Sequence, residues 1–388
     1  MPIQPREFRY VSYAQEVIFA PGSVSRLIEA VDRFDSQRLM LCTSRSMRSS
    51  GRVNLLEDML GERLVTIYDE VQPHVQDIQV AEALQLVDEN QVDVLIGMGG
   101  GSSIGMAKAV AFTLEEKRTG QPRRVAFSPE QPLVPVIAIP TTYTGSEMTA
   151  VYGITHTKET PPRKITVSDP KIAPKLVIYD PKLTLDLPPQ LTASTGINAL
   201  AHCLEALYSI TRHPLSTATA LSGLHHIWKA LLTCYQDGQN LEARTEMLLG
   251  SHLAGLSLAS VAMGLHHGLC HVLGGTANIP HGIANSIILP HAIRFNADVT
   301  ASQLLPAAKE MSISMSGMSQ LTAIERMAQK IADLIRQMNL PQRLRDVGIS
   351  EADLSLLAQL AFQNRTVQNN PKPVTEINQI EMLLRDAW

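Results

Sequence analysis

The chain has 388 residues, 45% of them hydrophobic and 18% charged, with a formal net charge of −4. That balance describes a globular chain long enough for one large or two ordinary domains. It carries no long basic run and only 4% aromatic residues, which argues against a nucleic-acid partner or a membrane surface.

The four cysteines (Cys42, Cys203, Cys234, Cys270) are widely spaced and form no CxxC pair, which fits a reducing cytoplasm. The opening stretch MPIQPREFRY lacks an apolar leader, and no apolar run is long enough to span a bilayer. A cytoplasmic location is expected.

Taken in order, residues 1–185 alternate short apolar runs with helical patterns. Residues 16–19 read as a strand, Pro21-Gly22 as a turn, and Ser23 as the cap of a helix over 23–34. Further strands are expected at 38–42 (RLMLC), 64–68 (LVTIY), 92–98 (VDVLIGM), 133–139 (LVPVIAI) and 176–179 (LVIY), with a helix over 78–89. β-Branched runs alternating with helices imply a parallel sheet covered on both faces. From residue 188 the pattern becomes helical, over 194–208, 215–232, 241–273, 302–314, 321–338 and 351–362. A polar stretch at 363–373 precedes a last short helix. The expected organisation is an α/β dinucleotide-binding domain over 1–185 and an all-α domain over 186–388.

The strand at 92–98 runs directly into Gly99-Gly100-Gly101-Ser102-Ser103 and then a helix pattern. Glycines let a ligand approach the backbone, and the helix start offers unpaired N–H groups to an anion. A tight strand-to-helix turn without a ligand is the plain alternative. The strand at 133–139 leads into Pro140-Thr141-Thr142-Tyr143-Thr144-Gly145-Ser146, a hydroxyl-rich segment at the end of a strand where open α/β sheets bind ligands. Thr141, Thr142 and Ser146 could reach a phosphate, a ribose or a nicotinamide amide. After the strand at 38–42, Thr43-Ser44-Arg45 brings no acidic residue for a ribose 2′-hydroxyl, and Arg45 could meet a 2′-phosphate. NADH and NADPH both stay open.

Four of the 12 histidines fall between Met263 and Gly282 (MGLHHGLCHVLGGTANIPHG). His267 and His271 are four apart and share a helix face, Gly274 and Gly275 are expected to stop that helix, and Pro280 sets the backbone before His281. In a second helix Asn198 and His202 repeat the same spacing. A carboxylate at 198 would complete a ligand set with His202, His267 and His281; asparagine supplies no charge. Three imidazoles can still hold zinc with a water as fourth ligand. Metal is therefore not favoured, and His202, His267 and His281 are the ligands if one binds. His213, His225, His226, His252 and His291 are assigned to packing or surface roles.

Together these segments resemble the iron-containing alcohol dehydrogenase family over nearly the whole chain. Within it they look most like the maleylacetate-reductase branch. The carriers are GGGSSIGMAKA at 99–109, PTTYTGSEMT at 140–149, INALAH at 197–202 and MGLHHGLCHVLGG at 263–275. Gly105 and Asn198 stand where metal-dependent members have aspartates. The resemblance implies a dehydroquinate-synthase-like fold, an α/β dinucleotide domain followed by a helical domain, with the active site in a cleft and a homodimer as the assembly. It implies that Gly99, Gly100, Gly101 and Ser102 bind the pyrophosphate and that Thr141, Thr142 and Ser146 line the nicotinamide end. His202, His267 and His281 match the family's metal-site histidines, and His271 the one beside the nicotinamide.

Two positions depart from the reductase pattern. Gly268 replaces a lysine after the double histidine, and Gly282 follows His281 as in the alcohol dehydrogenases. Arg163 and Lys164 remain as candidate cations for an acidic substrate. The implied activity is hydride transfer from NADH or NADPH to an unsaturated oxo acid, with histidines and the Asn198 amide stabilising an enolate-like charge. The alternative is an iron- or zinc-dependent dehydrogenase of a small alcohol or aldehyde. A sugar-phosphate cyclase lacks its cationic phosphate pocket here. A non-catalytic nucleotide binder would leave the histidines without a role.

Overall fold

The computed structural model describes residues 7–8, 10–119, 133–157, 163–314 and 316–388. The side chains of Arg163 and Lys164 lie outside the described residues. The chain divides into two compact units: one over 12–142 and 146–185, the other over 143–145 and 186–388 together with the described part of 1–11.

The first unit is built on β1 (Glu16–Phe19), β2 (Leu39–Cys42), β3 (Leu64–Tyr68), β4 (Val94–Gly99), β5 (Val136–Pro140) and β8 (Leu176–Tyr179), with a separate hairpin of β6 (Val151–His156) and β7 (Arg163–Ser168). The main sheet is parallel throughout, in the order β1-β8-β5-β4-β2-β3. Its helices are α1 (Leu27–Asp32), α2 (Arg45–Ser49), α3 (Arg52–Leu60), α4 (Asp77–Asn90) and α5 (Gly101–Thr119).

Side chains alternate across the central strands. Leu39, Leu41, Val94, Ile96, Met98, Ile137 and Ile139 pack with Leu27, Val31, Val53 and Leu56 on one face. Met40, Cys42, Leu95 and Val136 pack with Val80, Ala83, Ala107 and Val110 on the other. Burial on both faces is why these strands read as continuous apolar runs. The sequence of connections reverses direction between β2 and β4, and open sheets bind ligands at the strand ends beside such a switch. The antiparallel β6–β7 pair is not among the strands expected from the sequence. Its residues alternate, with Tyr152, Ile154, Ile165 and Val167 turned to the core, and Gly153 and charged neighbours dilute the apolar signal.

The second unit is helical: α6 (Pro189–Tyr208), α7 (Pro214–Gln236), α8 (Leu241–Ser260), α9 (Leu265–Ala277), α10 (His281–Glu310), α11 (Gln320–Gln337), α12 (Leu354–Phe362), α13 (Arg365–Gln368) and α14 (Ile377–Asp386). Helix α6 is buried almost all round from Thr192 to Tyr208, the mark of a central helix, and α7, α8 and α10 pack against it.

Two expectations are corrected here. The single helix expected over 241–273 is two helices bent by 98°, broken where Val261 turns extended and Gly264 caps α9. Gly274 and Gly275 do not stop α9, which continues to Ala277 and ends on Asn278 in the left-handed conformation, φ 53°. His281 opens the 30-residue α10, with Pro280 as its N-cap. Among the described residues, no single helix is long and apolar enough to cross a membrane.

Candidate active site

In the sheet unit, β4 ends at Gly99 with φ 136°, and α5 begins at Gly101. A side chain at 99 is excluded twice, by that φ and because a Cβ would lie 2.8 Å from Ser103 Oγ. At Gly97 a Cβ would lie 2.9 Å from the Ile104 Cα, so strand and helix backbones touch. One glycine for the turn and one for close strand–helix packing is the logic of dinucleotide cradles.

Hydroxyls gather at the same strand ends. Thr43 Oγ1 donates to the Met98 carbonyl at 2.7 Å, and the Thr141 N–H donates to the Gly99 carbonyl at 2.9 Å. Thr142 Oγ1 is buried with no protein partner, and a Cβ on Gly100 would sit 3.4 Å from it. Ser44 precedes α2, its Oγ 2.9 Å from Ser46 Oγ. Ser146 opens a short 3-10 turn, and its carbonyl accepts from Lys108 Nζ at 2.5 Å. An open glycine turn and an orphaned buried hydroxyl fit a pyrophosphate-bearing cofactor.

Arg45 is not held for a phosphate. It is 75% exposed and paired with Glu70 at 2.5 Å, while Arg48 pairs with Asp69. The carboxylates missing after β2 thus come from the end of the neighbouring strand β3.

The helical unit brings together all four candidate histidines. His202 on α6 stacks on His267 of α9 with ring centroids 4.7 Å apart and planes 15° from parallel. His281 at the start of α10 lies 6.0 Å from His267 and 5.8 Å from His271, and His271 is 6.5 Å from His267. His202 and His267 are buried, whereas His271 and His281 are half-buried. Asn198, one turn before His202, is 3% exposed. Its Oδ1, His202 Nδ1 and His267 Nε2 are all buried without a protein partner. His266 faces elsewhere, with Nε2 2.6 Å from Asn285 Oδ1, and serves packing.

The residue missed from the sequence is Glu205. It is 1% exposed, accepts from the Gly264 N–H at 2.9 Å through Oε1, and pairs through Oε2 with His267 Nδ1 in a short hydrogen bond. The carboxylate thus sits at the N-terminal end of α9, where the helix dipole favours it, and it orients the imidazole so that Nε2 is the free atom. A lone carboxylate inside the apolar run ALAHCLEALY was the available signal.

Burial drives the electrostatics. It holds His202 well below the ordinary imidazole range, with His267 adding to the effect, and brings His266 to about 4. His267 is lowered to about 3, by burial first and His271 second. Burial also raises the Glu205 carboxyl. The buried imidazoles are therefore neutral at neutral pH. Both shifts in the Glu205–His267 pair disfavour separated charge, so the pair carries one proton between its partners.

Among the described residues, no three His, Cys, Asp or Glu side chains are arranged to hold a metal ion. Position 198 brings no charge to compensate a cation. What the group can do is accept and donate hydrogen bonds in a buried, water-poor space.

Comparison with known proteins places these features in context. Residues 14–181 match the profile described as iron-containing alcohol dehydrogenase, and residues 192–388 match that of the Fe-containing alcohol dehydrogenase family, C-terminal. A maleylacetate reductase of Pseudomonas knackmussii is 34% identical over 372 residues, spanning 96% of this chain and 95% of that protein. The crystal structure of maleylacetate reductase from Agrobacterium tumefaciens superposes with a TM-score of 0.82 at 30% identity, covering 100% of this chain and 99% of that one. A 1,3-propanediol oxidoreductase superposes with a TM-score of 0.91 at 29% identity, covering 99% and 100%.

Proposed function

The chain belongs to the iron-containing alcohol dehydrogenase family of oxidoreductases, and on that premise we propose that it is an NAD(P)H-dependent reductase of the maleylacetate-reductase type, reducing an α,β-unsaturated oxo acid without a metal ion. The observation that carries the proposal is the Glu205–His267 pair, with its free Nε2 stacked beside His202 near a neutral Asn198. Asn198 gives a bound cation no charge compensation. Here a carboxylate stands behind an imidazole instead, the arrangement of a directed proton donor and acceptor.

The bound nicotinamide supplies the hydride. The rest falls to side chains of this protein. Gly99, Gly100, Gly101 and Ser102 would bind the pyrophosphate at the start of α5, with Ser44, Thr141, Thr142 and Ser146 around the remaining strand ends. The Asn198 amide and the neutral His202 ring offer hydrogen bonds to the oxo oxygen as negative charge develops there. His267 would give its Nε2 proton to the reduced substrate while its Nδ1 takes the proton of Glu205, so the ring stays neutral and Glu205 is left as the carboxylate. His271 and His281, less deeply buried, flank the group and are its route to solvent protons. The Arg45–Glu70 pair supports NADH as the preferred form, because a 2′-phosphate would have to displace Glu70.

The second reading is a metal-dependent dehydrogenase of a small alcohol or aldehyde, favoured by Gly282 after His281 and by the likeness to 1,3-propanediol oxidoreductase. Oxidation of NADH and NADPH against a panel of unsaturated oxo acids and small aldehydes, with and without chelator, separates the two. Turnover of an oxo acid that survives chelation is expected. Activity confined to aldehydes, abolished by EDTA and restored by Fe²⁺ or Zn²⁺, would replace this proposal with the second. A homodimer in the cytoplasm, using small-molecule substrates alone, completes the proposed setting.

A further inference from the structure

Lys108 is one of the largest fully buried side chains of the molecule, at 0% exposure on α5, two turns beyond the glycine cradle. An ammonium without water costs several kcal/mol unless it is well partnered. Here Nζ donates to the Ser146 carbonyl at 2.5 Å, the Val151 carbonyl at 3.1 Å and Thr149 Oγ1 at 3.2 Å. All three partners belong to one short segment, 146–151. Thr149 Oγ1 is itself 2.9 Å from the Ser146 carbonyl, which closes the cluster.

A buried acid stands in the same segment. Glu147, 0% exposed, accepts from the Tyr179 hydroxyl at 2.8 Å, and its main-chain carbonyl accepts from Gln15 Nε2 at 3.1 Å. Glu147 and Lys108 attract one another across the segment. Apolar packing would hold this turn without a desolvation cost, so the retained polar contacts of Lys108 fix its position more than they stabilise the fold.

We propose that Lys108 is a positioning residue for the cofactor. The helix that begins within the Gly99–Ser102 cradle also carries, through Lys108, the turn that begins at Ser146. One rigid element thereby sets the distance between the pyrophosphate site and the hydroxyl at the nicotinamide end. This rests on the cofactor reading given above. It adds that loss of Lys108 acts on the nicotinamide half of the cofactor and spares the ADP-ribose half.

The test compares the full-length protein with Lys108→Met, which keeps the length of the side chain and removes its charge. Affinities for NADH and for ADP-ribose are measured separately, well below the melting temperature. The expected result is NADH binding weakened at least tenfold, ADP-ribose binding within about twofold of wild type, and a KM for NADH that rises more than kcat falls. Lys108→Arg should recover part of the NADH affinity. Equal weakening of both ligands would mean a general loosening of the unit and overturn the proposal, as would no change in either. Should Lys108→Met fail to fold, Thr149→Val removes one partner hydroxyl at constant shape. It should show the same split at several-fold size, and its absence overturns the proposal equally. Wild-type protein that binds neither NADH nor NADPH would instead sink the cofactor reading itself.

Discussion

Asn198 decides what the buried histidines can hold. Its neutral amide sits one turn before His202 with Oδ1 unpartnered and buried. Asn198→Asp adds a negative charge in a place where three imidazole-bearing helices already meet. Affinity for Zn²⁺ or Fe²⁺ should rise at least tenfold, read by metal analysis after dialysis; unchanged metal content would mean that the ring nitrogens do not converge. Glu205 works in the opposite direction, by fixing a proton rather than a metal. Glu205→Gln removes the titratable acid behind His267, and losses of about 10–100-fold are typical when such an outer partner is changed. That loss should fall on kcat, with KM for the oxo acid little altered. A kcat within twofold of wild type would remove Glu205 from the chemistry.

The two residues were unequally legible. Asn198 with His202, and His267 with His271, could be paired from four-residue spacings, because a helix places such pairs on one face, while His281 was joined to them through the family resemblance. Glu205 is three residues beyond His202, but its partner lies 62 positions further along, a pairing that no local periodicity encodes. Glu70 was missed for a similar reason: the contact to Arg45 depends on β2 and β3 lying side by side.

At the level of the element, α9 explains both a missed boundary and a substitution. Residues 241–273 form one unbroken apolar pattern with no proline, so nothing local announces the break before Leu265. The break is made from a distance. Glu205 accepts from the Gly264 N–H and Asn370 Oδ1 accepts from the Leu265 N–H at 3.2 Å, giving α9 a start with its own caps. The parallel sheet, by contrast, was readable strand by strand because burial on both faces leaves apolar runs. Gly268 lies on the side of α9 that meets α13. A Cβ there would come within 2.4 Å of a Val367 methyl and 3.0 Å of the Val367 main-chain nitrogen. The lysine of the reductase pattern therefore cannot be restored by substitution alone. Gly268→Lys should destabilise the fold by about 1–3 kcal/mol, seen as a lower denaturation midpoint, and should not improve KM for a dicarboxylate. A stable variant with tighter dicarboxylate binding would show that α13 yields easily and that the side chain reaches the substrate.

Across the whole molecule, the buried titratable groups set how stability answers to pH. His202, His266 and His267 are lowered from the ordinary 6.5, to about 4 for His266 and about 3 for His267. Below pH 6.5 the unfolded chain takes up these protons and the folded chain does not, so acidification favours unfolding. Each such site can contribute up to about 1.4 kcal/mol per pH unit. Glu205 and Glu147 are raised from the ordinary 4.5 by burial, so above that value the folded chain holds protons that the unfolded chain has lost. Between pH 6.5 and 4.5 the two effects oppose one another, with His252 and His291 also lowered and Glu116 also raised. Below pH 4.5 the unfolded carboxylates also protonate and the opposition ends, and the lowered carboxyls of Asp77 and Glu246 add to the histidine effect. Denaturant midpoints measured from pH 8 to pH 3.5 should therefore fall gently from 6.5 to 4.5 and steeply below. A curve flat down to pH 4 would mean that the histidines titrate in the folded state, and a neutral imidazole group could then no longer be the basis of the chemistry. A steep fall beginning at pH 6.5 would mean instead that Glu205 and Glu147 stay ionised in the fold, leaving His267 backed by a full negative charge.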